Sequence, residues 1–166
     1  DALGGVLWFG TDDANMTVFT PVYCCTTKAP VCYTRVDGAD YITFSWNSAF
    51  WIFNWVANMV YPRYDLMIGD VRATQNELET TFNEAQEGIE AAAVKLYEKN
   101  PETAVKFLTN YTDMTAQSTF DTWKRLGEFI IVKYNDGVIR KMKDGKFERN
   151  AIGQPRRVCE ANRRTL

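Results

Sequence analysis

Three kinds of side chain in this chain could do chemistry: four cysteines (Cys24, Cys25, Cys32 and Cys159), a pair of adjacent acids (Asp12 and Asp13), and a run of asparagines (Asn47, Asn54 and Asn58). There is no histidine, so the most usual general base near neutral pH and the commonest metal ligand are missing. Ser-His-Asp catalysis, Cys-His catalysis and His-ligated zinc cannot be assembled from these residues alone. A cysteine nucleophile would need Lys28 or Arg35 to hold its thiolate. The neighbours Cys24 and Cys25 can hardly bond to each other without strain, and no C-x-x-C spacing occurs. A disulfide from either to Cys32 or Cys159 stays open, but small buried thiols are the preferred reading. Thr11, Asp12 and Asp13, with Asn15, fall in one loop and are the candidate pocket residues. The D-x-D-x-D-G spacing of a calcium loop is absent, so Asp side chains bonding nearby amides are favoured over a metal site. Gly4, Gly5 and Gly10 do not form a phosphate-binding loop. No metal or cofactor is expected.

The elements that must position these groups follow from periodicity. Residues 1–46 predict strands: an apolar run at Val6–Phe9, an alternating segment at Met16–Tyr23, and a β-branched and aromatic segment at Tyr41–Trp46. Gly10–Asn15, Pro30 and Asp37-Gly38 separate them. Residues 47–126 predict helices. Ser45, Asn47 or Ser48 caps the first, which is apolar nearly all round from Ala49 to Tyr61 and is interrupted by Pro62. A long amphipathic helix follows, with Val71, Gln75, Leu78, Phe82, Ala85, Ile89, Ala92 and Leu96 in one stripe whose only polar member is Gln75. Asn100-Pro101-Glu102 stops it and caps an antiparallel partner that runs to Leu126 and is ended by Gly127. Residues 127–147 predict a hairpin, with Phe129–Val132 and Val138–Met142 flanking Asn135-Asp136-Gly137 and a second turn at Lys143-Asp144-Gly145. Residues 148–166 form a basic tail. The order is α+β, not a βαβ repeat.

Composition narrows the class further. With 46% hydrophobic residues and a net charge of −2, the chain is not disordered, and 166 residues suffice for one domain or a large piece of one. The longest apolar stretch, Ala49–Val60, contains Asn54 and Asn58, so no membrane span is expected. Charge is unevenly laid out: Asp65–Glu102 holds nine acids against three bases, and Arg140–Leu166 nine bases against three acids. The segment Arg140–Leu166 has a single aromatic, Phe147, which offers no series of stacking platforms, so two solvated faces are preferred over a nucleic-acid arm. Nine aromatics between Tyr41 and Tyr64 could line a core, an interface or a ligand groove, with core and interface preferred. A core strand a few residues after Asp1 suggests either a piece of a longer chain or a product of leader removal. No Lys or Arg precedes Lys28, so these residues are not expected to include a secretory leader.

Several strings are distinctive in combination. Gly5-Val6-Leu7-Trp8-Phe9-Gly10-Thr11-Asp12-Asp13, continuing through Thr17–Cys24, resembles the C-terminal third of the bacterial cysteine dipeptidases of N-terminal-nucleophile type, the dipeptidase A family related to the secernins. Phe44–Trp51, Val56-Ala57-Asn58, Tyr64-Asp65, Trp123–Gly127 and Val132–Gly137 strengthen the likeness, which covers residues 4–140. The resemblance implies two stacked sheets between helical layers, and hydrolysis of dipeptides by a Cys whose own α-amino group is the base. An α-amine titrates near pH 7.7–8.0 in model peptides, so such an enzyme can dispense with histidine. Here the first residue is Asp1 and all cysteines are interior, so the resemblance places the nucleophile upstream and no catalytic residue is carried across. The expected partners are that upstream part and a dipeptide, with a homo-oligomer left open and the compartment unread. The rival expectation is a non-catalytic binding or scaffold module with an aromatic groove. Broad exposure of Trp51 and Trp55 beside a closed sheet would favour the module, and an open sheet edge near residues 6–23 the enzyme.

Overall fold

The computed structural model describes residues 3–148. They fall into two compact units divided after Leu126, within a helix. The fold is α+β. In the first unit, β1 (Val6–Phe9) and β2 (Thr20–Tyr23) pair antiparallel with Val6 opposite Tyr23 and Phe9 opposite Thr20. Two 3₁₀ turns follow, Val31–Tyr33 and Val36–Gly38. Then come α1 (Ala49–Val60), a 3₁₀ turn at Tyr61–Arg63, α2 (Tyr64–Lys99) and α3 (Pro101–Tyr134).

The helices follow the sequence pattern closely. Pro62 sits in the 3₁₀ turn that separates α1 from α2, where a missing N–H costs least. Every member of the stripe from Val71 to Leu96 is buried or half-buried. Asn100 breaks the run with extended backbone, and its side-chain oxygen accepts the Glu102 amide at 2.9 Å, capping α3. Leu3, Tyr23, Ala93, Leu108 and Tyr111 form a buried cluster. Ala93 and Leu108 lie at similar distances on either side of Asn100, so α2 and α3 run antiparallel. Phe53 of α1 stacks on Trp123 of α3 with centroids 4.7 Å apart. No helix among the described residues is long and apolar enough to cross a membrane.

Three strand expectations are corrected. Met16–Phe19 is irregular, because its groups bond to the β1–β2 loop and to α2 rather than to a neighbouring strand. Tyr41–Trp46 is also irregular. Its backbone needs are met by side chains: Asp40 accepts the Ile42 amide at 3.1 Å, and Trp51 Nε1 donates to the Thr43 carbonyl at 2.7 Å. Two of its aromatics pack on α1, Phe44 against Trp51 and Trp46 against Trp55, while Phe44 and Trp46 stay 49% and 48% exposed.

The third correction concerns the second unit. Gly127 does not end the helix, and the predicted strand Phe129–Val132 is the last part of α3. Asn135-Asp136-Gly137 is a helix terminus instead of a hairpin turn, with Asp136 at φ 59° and Gly137 at φ 70°. Left-handed residues serve both purposes. The hairpin lies one turn signal later: β3 (Met142–Lys143) pairs with β4 (Lys146–Phe147) across Asp144-Gly145, both at positive φ. Phe147 stacks on Phe129 at 5.5 Å. Most of the basic tail lies outside the described residues.

Candidate functional site

The loop from β1 to β2 carries Thr11, Asp12 and Asp13, and the structure fixes it from two sides. At its base Gly10 lies so close to Thr17 that a Cβ there would meet Thr17 Cγ2 at 2.7 Å. The Thr11 amide donates to Thr17 Oγ1 at 2.8 Å, which closes the loop on itself. At its tip Asp12 adopts φ 65°, a left-handed conformation that Asp tolerates better than most residues. Asp13 Oδ1 accepts the Asn15 amide at 2.7 Å and the Asp13 carbonyl accepts the Met16 amide at 2.9 Å, the turn chemistry expected of this segment.

The helices supply the outer contacts. Asn54 of α1 donates through Nδ2 to Asp12 Oδ1 at 3.1 Å, and is itself contacted by Asn58 at 3.1 Å. The Tyr61 hydroxyl donates to Asp13 Oδ2. Asn15 donates to the Tyr64 hydroxyl at 2.9 Å and accepts from Arg72. Gln75, buried on the inner stripe of α2, donates to the carbonyls of Asn15 and Thr17, while its own oxygen accepts Arg72 Nη1 at 3.1 Å. Asp13 thus has both oxygens engaged and positions the loop. Asp12 is exposed and holds one oxygen toward Asn54.

The sequence singled out the three loop residues and the odd polarity of Gln75, but not that Tyr61, Tyr64 and Arg72 converge on them. Only the interruption at Pro62, which aims two successive helices at one loop, could have signalled it. Asn47 belongs elsewhere: it donates to Asp37 Oδ2 at 2.8 Å. No group of three or more Cys, Asp or Glu side chains that could hold a metal occurs among the described residues.

Cys24, Cys25 and Cys32 are free thiols, and Cys159 lies outside the described residues. Among the described residues the expectation of buried thiols holds for Cys32 alone, since Cys25 is half-buried and Cys24 exposed. Burial pushes the Cys25 thiol up, and pushes Cys32 up to about 11, so neither is poised as a thiolate. The Cys24 amide donates to the Gly5 carbonyl at 2.9 Å, extending the β1–β2 ladder. That nitrogen is a structural donor.

Residues 1–77 match the model of peptidase family C69. This part of the chain is similar to that family. The matched stretch contains β1, β2, α1, the Thr11–Asp13 loop and every helical residue that holds the Asp12 and Asp13 side chains. The match supports a peptidase as the class of activity. No curated protein and no solved structure matches the chain.

Proposed function

We propose that this chain is the C-terminal portion of a cysteine dipeptidase of the N-terminal-nucleophile kind, with the reactive Cys upstream of Asp1, and that residues 1–166 alone hydrolyse nothing. The observation that carries this reading is the family match over residues 1–77. In the proposed reaction the upstream thiol attacks the amide carbon of a dipeptide, its own α-amine accepts the thiol proton, and that proton passes to the leaving amine. Water then releases the acyl group. Thr11, Asp12 and Asp13 belong to the substrate pocket, with Asp12 receiving the substrate's α-ammonium and Asp13 holding the loop.

Two further observations support the reading. The β1–β2 sheet has only two strands among the described residues, so each strand keeps an unpaired edge where others could add. Trp51 and Trp55 are half-buried within an aromatic cluster, not displayed as the rival module would need.

The test compares dipeptide hydrolysis by residues 1–166 with that by the full-length protein. Activity in the long form only, unaffected by Cys24→Ser and Cys25→Ser, agrees with the proposal. Turnover by the short form that disappears in either variant overturns it.

A further inference from the structure

One cavity of about 370 Å³ shares Thr11 with the loop described above and is otherwise walled by residues that the reaction has not used. Its walls include Phe9, Tyr33, Arg35, Asp40, Tyr41 and Ser48. Its size suits a small organic ligand.

Three features of the cavity point to an anion. Ser48 is the N-cap residue of α1, yet its hydroxyl makes no capping hydrogen bond. It is 96% buried, with 4% relative exposure, and it lies on the cavity wall. No group among the described residues bonds its hydroxyl, which still reaches solvent and is open to a ligand that enters the cavity. Behind it the amides of the first turn of α1, a 12-residue helix, have no intrahelical acceptors, and the helix dipole adds positive potential there. Arg35 also lines the cavity and spends Nη2 on Asp40 Oδ2 at 3.0 Å. A guanidinium has five N–H donors, so most of the fork stays available. Asp40 is the acidic wall residue and opposes an anion in part: Oδ1 accepts the Ile42 amide at 3.1 Å and Oδ2 pairs with Arg35. The pair is therefore neutral, and the anion must be held by the guanidinium's remaining donors, Ser48 and the helix amides. Asp40 orients the guanidinium. The aromatic part of the wall is Phe9, Tyr33, Tyr41 and Phe50, with Phe9 and Tyr33 packed at 4.9 Å and Tyr41 largely exposed.

We propose that this cavity is a carboxylate subsite, in which Arg35, the Ser48 hydroxyl and the first-turn amides of α1 bind the free C-terminal carboxylate of a short peptide while Phe9, Tyr33 and Tyr41 receive its side chain. The inference rests on the peptidase reading for the identity of the ligand, and on the cavity alone for its charge. A free carboxylate is what separates a dipeptide from an internal segment of a longer chain, so the subsite would select for substrate length.

The experiment uses the full-length protein and two probe pairs: a dipeptide against the same dipeptide carboxamide, and N-acetylphenylalanine against its amide. The acid should be the better substrate. Arg35→Gln and Ser48→Ala should raise KM for the acid about 10- to 100-fold, the range of a hydrogen bond to a charged group. KM for the carboxamide should not change. Arg35 is mostly exposed, so its replacement leaves the fold intact. N-Acetylphenylalanine should shift the Ala49–Trp51 amide resonances, and its amide should not. Equal effects of Arg35→Gln on acid and carboxamide, or hydrolysis without those shifts, would overturn the subsite and leave the peptidase reading standing. Shifts without hydrolysis of any dipeptide would uphold the subsite and overturn the peptidase reading.

Discussion

Replacing Gln75 by Leu removes one side-chain amide and leaves its size and place on the stripe. In the structure that amide donates to the Thr17 carbonyl, and the residue bearing that carbonyl is only 2% exposed. It also donates to the Asn15 carbonyl at 3.3 Å, next to solvent. A buried carbonyl left without a donor costs about 1–3 kcal/mol, while one that water can reach costs little. Arg72 loses the Gln75 oxygen but keeps Asn15. The added apolar burial offsets a part, so Gln75→Leu should destabilise the protein by about 2 kcal/mol. Gln75→Glu should cost more at neutral pH, because a carboxylate oxygen would face two carbonyl oxygens. Its penalty should shrink as pH falls: the environment raises the introduced carboxyl's pKa, and the protonated acid regains one donor for Thr17. Urea unfolding at pH 7 and pH 4.5 measures both effects. A Gln75→Leu midpoint equal to or above that of the wild type would refute the idea that Gln75 holds the loop.

Four other outcomes are expected. Thr119→Val should stabilise by about 1 kcal/mol in urea unfolding, because the Thr119 hydroxyl is fully buried with no partner in the structure and a methyl group fits the same space. Thiol labelling followed by mass spectrometry at pH 8 should modify exposed Cys24 first and Cys32 last; at a pKa of about 11 roughly one Cys32 thiol in a thousand is ionised there. Burial raises Cys32 to about 11 and Tyr33 to about 12, so the folded state holds these protons more tightly than the unfolded one. Stability should therefore be complete below pH 9 and fall as pH rises toward 11, and Cys32→Ala should flatten that fall in unfolding midpoints. Asp12→Asn keeps the left-handed turn and removes the charge, and should raise KM for a dipeptide in the full-length protein with stability unchanged; an unaltered KM would take Asp12 out of the pocket.

The helical part of the fold was legible as far as Gly127, because its signals there are local and agree with one another; beyond it the apolar run Phe129–Val132 reads as a strand but continues α3. Pro62, the stripe from Val71 to Leu96 and the Asn100-Pro101 break each have one physical meaning. The β-structure was less legible for two reasons. Tyr41–Trp46 has strand-like residues, but Asp40 and Trp51 satisfy its backbone locally, and no strand propensity scale sees such partners. Asp-Gly occurs at residues 136–137 and at 144–145 with positive φ in both, and only context decides that the first ends a helix and the second turns a hairpin. The site divides the same way. Thr11, Asp12 and Asp13 stood out by type, whereas Tyr61, Tyr64 and Arg72 look like ordinary surface residues until the turn at Pro62 directs them to one loop.

The account stands on where the reactive sulfur is. A dipeptide-derived acyloxymethyl ketone, applied to the full-length protein and located by peptide mapping, reports that position directly. The account predicts one adduct per chain, on a cysteine that is the first residue of the mature protein. An adduct on Cys24, Cys25 or Cys32 that abolishes activity would contradict it.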